Sequence, residues 1–175
     1  MSKYELRDKT ASLSGVTYEQ SLLATTALTP PLLTRIGLAG LHELVTLFYD
    51  RVFDDKVILG IFASSTKSEA IDNQYRFLVQ TFGGEALYKE KKGEFTRLVG
   101  RHANYHITSE AAERWLVHMN GAIDDHEELK KQNDEAKEYL KKYFRYTAFY
   151  IVAARVYMKD DQLSGGVQID SGRVW

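Results

Sequence analysis

The chain has two prolines, Pro30 and Pro31, side by side, and none after them. A proline inside a helix removes a backbone hydrogen bond and clashes with the preceding turn, so everything beyond residue 31 is free to form long helices. The apolar residues use that freedom. From Leu38 to Phe53 they fall at Leu41, Leu44, Val45, Phe48 and Val52, the stripe of an amphipathic helix, with Tyr49 on its flank. Thr66-Lys67-Ser68-Glu69 has the form of a capping box and predicts a second helix running to Phe82, where Gly83-Gly84 ends it. The inward stripe of that helix is Ala70, Ile71, Gln74, Phe77, Leu78 and Thr81. A third helix opens at Ser109 behind the Thr108 hydroxyl and buries Ala112, Trp115, Leu116, Met119, Ala122 and Ile123. The fourth and longest follows a charged connector from Asp124 to Asp134. It buries Leu140, Tyr143, Phe144, Thr147, Ala148, Ile151, Val152 and Val156 until the pattern dies near Lys159. The sum is an all-α domain without a sheet.

Other stretches carry weaker signals. Residues 1–27 lack steady periodicity and are expected to form a loosely structured N-terminal extension, and residues 159–175 a flexible C-terminal tail, which leaves 28–158 as the folded domain. Thr29-Pro30-Pro31 reads as a cap followed by proline in a first turn, opening a short helix lined by Leu32, Leu33 and Ile36 and stopped at Gly37. Val57 to Phe62 is an apolar run that period alone assigns neither to a strand nor to a tight helical turn. Residues 83–97 carry three glycines and read as an irregular loop, long enough to have a function.

Composition narrows the function classes. With 44% hydrophobic residues the chain can bury a sizeable core, and a formal charge of −1 provides no global field for nucleic acid or anionic membrane. The absence of cysteine excludes disulfides, iron–sulfur clusters and thiolate metal sites, so a metal would be held by histidine or carboxylate. No apolar run approaches a membrane span, and the polar N-terminus is unlike a secretory signal. The expectation is a cytoplasmic protein, although charge gives no basis for choosing cytosol over nucleus.

Two groups of residues carry chemical interest. Gln74 falls among Ala70, Phe77 and Leu78, and a buried amide needs a partner or carries a desolvation cost of roughly 1–3 kcal/mol. Tyr49 and Trp115 can bring an O–H and an indole N–H to the same pocket. Three such groups suit a ligand that becomes partly negative, such as dioxygen on ferrous iron; the bland reading makes them ordinary core residues. His102 ends a short element and faces the Trp115 helix, the placement that a buried metal macrocycle would need. Singly, it is also a histidine offsetting a helix dipole. His102 and His106, with Glu110, have zinc spacing on a helix that Ile107-Thr108-Ser109 interrupts. His118 could face in or out, and His42 and His126 stand in polar surroundings expected at the surface. Lys89, Lys91, Lys92, Arg97 and Arg101 form a basic cluster, either solvated or facing carboxylates.

Taken together, the chain resembles the truncated, two-over-two haemoglobins of group II, and within them the plant and algal class 3 haemoglobins. The resemblance runs in order through the Asp8–Val16 block, Phe48-Tyr49-Asp50-Arg51-Val52, Ile61-Phe62, Ala70–Tyr75, Phe82-Gly83-Gly84, Leu87-Tyr88, Gly100-Arg101-His102, Ala111–Leu116, His118-Met119 and Phe144–Phe149. It departs at Glu85-Ala86, Glu94-Phe95 and His106, where relatives carry prolines. The resemblance implies a globin-like helical sandwich around haem b, with His102 as proximal iron ligand and Arg101 near a propionate. It implies Phe62 packing on the haem face, with Ala70, Phe77, Leu78 and Tyr88 as further contacts, and Tyr49, Gln74 and Trp115 as the distal hydrogen-bonding set. Ala70 stands where vertebrate globins keep a distal histidine, which implies five-coordinate ferrous haem. Expected ligands are O2, NO and CO, with an external electron donor or reductase and without nucleic acid or membrane; a homodimer stands as an open expectation. The implied use is NO dioxygenation or peroxidase-like chemistry, against a non-enzymatic gas sensor or store, or more remotely a metal-free helical interaction module.

Overall fold

The computed structural model describes residues 3–62, 64–85 and 107–164. In chain order they form α1 (Lys3–Ser14), α2 (Tyr18–Ser21), α3 (Leu23–Thr26), α4 (Leu32–Asp54), a 3-10 helix (Leu59–Phe62), α5 (Lys67–Thr81), α6 (Ser109–Asp125), α7 (Glu127–Lys130) and α8 (Asp134–Ser164). No strand occurs among the described residues. The tight helical turn is therefore what the Val57–Phe62 run forms.

Two pairs of helices make the body. α4 packs on α5, α6 packs on α8, and α4 crosses α6 to join the pairs, two helices over two. The amphipathic stripe of α4 explains its position: Leu41, Leu44, Val45, Phe48 and Val52 are fully buried, and Tyr49 nearly so. Gly37 interrupts α4 with φ 69°, a conformation a Cβ disfavours, so the short segment before it turns away while Leu32 and Ile36 stay buried. The helix start differs from expectation. Pro31, not Thr29, is the N-cap residue, and no side chain caps the end.

α5 begins at the predicted capping box, the Thr66 hydroxyl accepting from the Glu69 N–H while the Glu69 carboxylate accepts from the Thr66 N–H. It stops at Phe82, with Gly83 at φ 92°. α6 starts behind Thr108, whose hydroxyl accepts from the Ala111 N–H at 3.2 Å.

Three expectations need correction. The N-terminal stretch is helical, and α1 docks on α8. Polar contacts hold it: Arg145 Nε donates to the Ser14 carbonyl at 2.5 Å, and the guanidinium also forks onto both Glu113 oxygens. A small cluster of Val16, Tyr146 and Tyr150, with Tyr18 and Leu6 against it, completes the seam. The last helix runs beyond Lys159, to Ser164. His126 is not a surface residue. Its side chain is fully buried, Nδ1 accepting from the Leu129 N–H at 3.1 Å to cap α7 and Nε2 donating to the Gly40 carbonyl on α4 at 2.8 Å. His42 is exposed, as expected.

Candidate ligand cavity between the helix pairs

The two pairs enclose a cavity of about 450 Å³, a volume in the range of cofactor and small-ligand sites. α4 contributes Tyr49; the 3-10 helix contributes Ile61 and Phe62; α5 contributes Ala70, Asn73, Gln74 and Phe77; α6 contributes Trp115; and α8 contributes Tyr143, Phe144, Thr147, Ala148 and Ile151. The α5 positions are i, i+3, i+4 and i+7, one helical face.

Tyr49, Gln74 and Trp115 come together here. The Tyr49 hydroxyl donates to Gln74 Oε1 at 3.4 Å, a long bond, and is the polar partner that the buried amide required. Phe48 bridges the other two, its ring centroid 4.8 Å from both Tyr49 and Trp115. Burial pushes the Tyr49 phenol well above its ordinary pKa, so it stays a neutral O–H at any working pH. Phe62 meets the Tyr49 ring edge-on at 5.7 Å.

Of the other expected contacts, Ala70 and Phe77 line the cavity, but Leu78 does not; it is fully buried in the core. Asn73, outside the apolar stripe, lines the wall as well. Tyr88, Arg101, His102 and His106 lie outside the described residues, as do Lys89, Lys91, Lys92 and Arg97. Among the described residues no cluster of three metal-ligating side chains occurs, and no helix is long and apolar enough to cross a membrane.

The α8 face, which its periodicity assigns to the core, also walls the cavity. Tyr143 is buried there, its phenol pushed up to about 12 by burial, partly offset by hydrogen bonds with Thr81 and Thr147. A second polar cluster lies behind the wall. Asp55, at the end of α4, accepts at Oδ2 from Arg114 Nε at 2.5 Å and from His118 Nε2 at 2.6 Å, and at Oδ1 from the Val57 N–H at 3.0 Å. His118 therefore faces inward and ties α6 to the segment leading into the 3-10 helix.

Residues 32–149 match the model of the bacterial-like globin family. The chain belongs to this family, among the group II truncated haemoglobins. It is 41% identical to two-on-two hemoglobin-3 of Arabidopsis thaliana over 85% of this chain and 82% of the relative. It is 44% identical to group 2 truncated hemoglobin 3-1 of Lotus japonicus, over 70% and 71%. Among solved structures it is similar to the group II truncated haemoglobin of Bacillus anthracis, with TM-score 0.60 and 30% identity over 68% of this chain and 88% of that one. The truncated oxygen-avid haemoglobin of Bacillus subtilis gives TM-score 0.58 and 34% identity, over 66% and 93%.

The group II truncated haemoglobin family implies haem and the binding of O2 and related diatomic gases. The cavity residues fit that group. Ile58, Ile61, Phe62, Phe77, Phe144 and Ile151 offer apolar surface to a flat macrocycle, while Tyr49, Gln74 and Trp115 supply a few hydrogen-bonding groups.

Proposed function

We propose that the chain is a haem b protein that holds dioxygen, nitric oxide or carbon monoxide in this cavity and turns the ligand over in redox chemistry rather than carrying oxygen in bulk. The observation that carries the reading is the Tyr49–Gln74 contact in a cavity that Trp115 also lines. Haem, when bound, supplies reversible binding of diatomic gases and one-electron chemistry. His102 is the proposed proximal ligand of its iron. Arg101 is proposed for a propionate, and Phe62, Ala70, Phe77 and Tyr88 for contacts with the ring.

Around the ligand, Tyr49, Gln74 and Trp115 act as donors. Each hydrogen bond to a partly anionic ligand contributes about 1.5–3 kcal/mol, and every 1.4 kcal/mol slows release tenfold. Slow release disfavours bulk delivery and suits NO dioxygenation or peroxidase-like turnover, with electrons from an external donor or reductase. The cytoplasm, where such reductants are abundant, is the proposed location.

The test is a visible absorption spectrum of the purified chain, ferric, then reduced, then exposed to oxygen and to carbon monoxide. A Soret band that shifts at each step supports the reading. No Soret band after addition of haemin overturns it. Mixing the oxygenated protein with nitric oxide should then yield stoichiometric nitrate; its absence leaves a gas store or sensor.

A further inference from the structure

One carboxylate joins three of the elements that build the cavity. Asp55 follows the last residue of α4, the helix that carries Tyr49, and its N–H donates back to the Val52 carbonyl at 3.1 Å. Its own carbonyl accepts from the Ile58 and Leu59 N–H groups at 3.2 and 3.0 Å, and its Oδ1 accepts from the Val57 N–H. Asp55 therefore also opens the turn that leads to the 3-10 helix and Phe62. Its Oδ2 accepts from Arg114 and His118 of α6, the helix that carries Trp115. The Asp55 side chain is 7% exposed, so the charge is held away from water.

A buried carboxylate is poor evidence for stability, because its desolvation offsets most of what its partners return, and an apolar side chain of similar size would serve a plain core as well. What it supplies is direction. Arg114 and His118 stand at i and i+4, one turn apart on the same face of α6, and both meet one oxygen. Trp115 lies about 100° round the helix from Arg114 and about 60° from His118, on the neighbouring face, where it lines the cavity. Two donors on successive turns, held on one acceptor, fix the rotation of α6 about its axis. Ring contacts of Trp115 with Phe48 and Phe144, at 4.8 and 5.9 Å, add burial, but apolar contact is not directional and leaves the aim of the indole N–H open. Side chains reach about 5–6 Å from a helix axis, so a turn of about 10° carries the indole roughly 1 Å. That shift takes a hydrogen bond of about 2.9 Å beyond its normal limit.

We propose that Asp55 is a positioning residue for the cavity: through Arg114 and His118 it sets the angle of α6, and with it the point at which the Trp115 indole N–H meets a gas ligand. This inference rests on the haem reading above. It assigns Asp55 no contact with haem or ligand.

The test has two arms. Trp175→Phe leaves Trp115 as the sole tryptophan of the chain. In that background the apoprotein of Asp55→Asn should emit at longer wavelength and be quenched more strongly by acrylamide than its parent, at a temperature where circular dichroism finds both folded. In the haem-loaded chain, dioxygen release is measured for the wild type, Asp55→Asn, Trp115→Phe and the double variant. Trp115→Phe should speed release about tenfold, the factor that corresponds to 1.4 kcal/mol, and Asp55→Asn about threefold. In the Trp115→Phe background, Asp55→Asn should change nothing further, since the residue it positions is gone. His118→Gln keeps an N–H donor for the carboxylate and should release at the wild-type rate, whereas His118→Leu should match Asp55→Asn. An Asp55→Asn effect that persists in full without Trp115 overturns the proposal. So do unchanged Trp115 emission, wild-type release in both Asp55→Asn and His118→Leu, and equal acceleration by Gln and Leu at position 118. A wild-type chain that takes up no haemin overturns the haem reading instead, and the apoprotein emission still decides whether Asp55 sets the indole.

Discussion

Tyr49 and Gln74 share a single proton across 3.4 Å, and it belongs to Tyr49. While the phenol donates to Gln74 Oε1 it has no proton left for a ligand, whereas the Gln74 amide nitrogen keeps two. A ligand therefore draws on the pair as a unit: either the phenol swings from Gln74 to the ligand, or Gln74 donates with its carbonyl held by Tyr49.

Both routes make the two residues non-additive. Tyr49→Phe should speed dioxygen release about tenfold, the loss of roughly one hydrogen bond of 1.4 kcal/mol. Gln74→Leu should speed it by a comparable factor. The double variant should fall well short of the product of the two, because each single change already disables the shared contact. Stopped-flow release rates decide it, and strict multiplicativity would show that the two side chains act independently.

Asp55 gives the acid limb of stability a specific origin. The Arg114 guanidinium, then His118, hold its carboxyl well below the usual carboxylate range. A depressed folded-state pKa contributes stability that is fully present above the unfolded value, near 3.9 in peptides, and is lost as pH falls through the folded one. The wild type should keep this contribution from neutral pH down to about pH 4 and lose it below. Asp55→Asn should melt several degrees lower at pH 7 and show a flatter fall in melting temperature between about pH 4 and 2. Thermal melts monitored by circular dichroism across that range test it; parallel curves for the two proteins would remove Asp55 from the acid response.

His102→Ala should abolish stable haem uptake, because no other residue is proposed on the iron. The readout is a haemin titration followed at the Soret band, with added imidazole restoring the band by filling the vacated position. A variant that keeps its haem and spectrum unchanged would direct attention to His106.

The sequence exposed whatever depends on near neighbours. The α4 stripe could be read because all five positions bury against one partner layer, and α5 because Thr66 and Glu69 cap each other three residues apart. The triad of Tyr49, Gln74 and Trp115 needed one step more, an amide on an apolar face that demanded a partner. What stayed hidden was long-range. α1 docks through Arg145, 131 residues beyond Ser14, and through tyrosines on α8, neither of which leaves a periodic trace in α1 itself. Asn73 lines the cavity beside Ala70, Gln74 and Phe77, but as a polar residue outside the apolar stripe it carries no periodic signal.

His126 is the clearest such case and gives the last prediction. Flanked by Asp124, Asp125, Glu127 and Glu128, it reads as solvent-facing. Its ring instead reaches a carbonyl 86 residues away, at Gly40, where an added Cβ would meet Ile36 at 3.1 Å and the imidazole itself at 3.5 Å. The ring thereby satisfies the α7 N-terminus and links it to α4. His126→Ala leaves the Leu129 N–H unpaired, removes a second bond from Gly40, and opens a void. Together these should cost about 2–4 kcal/mol, or roughly 4–16 °C in melting temperature for a chain of this length. His126→Asn can still accept from the Leu129 N–H as an N-cap but is too short to reach Gly40, so it should recover about half of the loss. Haem spectra of both variants should match the wild type, since His126 lies outside the cavity wall. Equal melting temperatures for the Ala and Asn variants would place the stabilisation in the Gly40 contact alone.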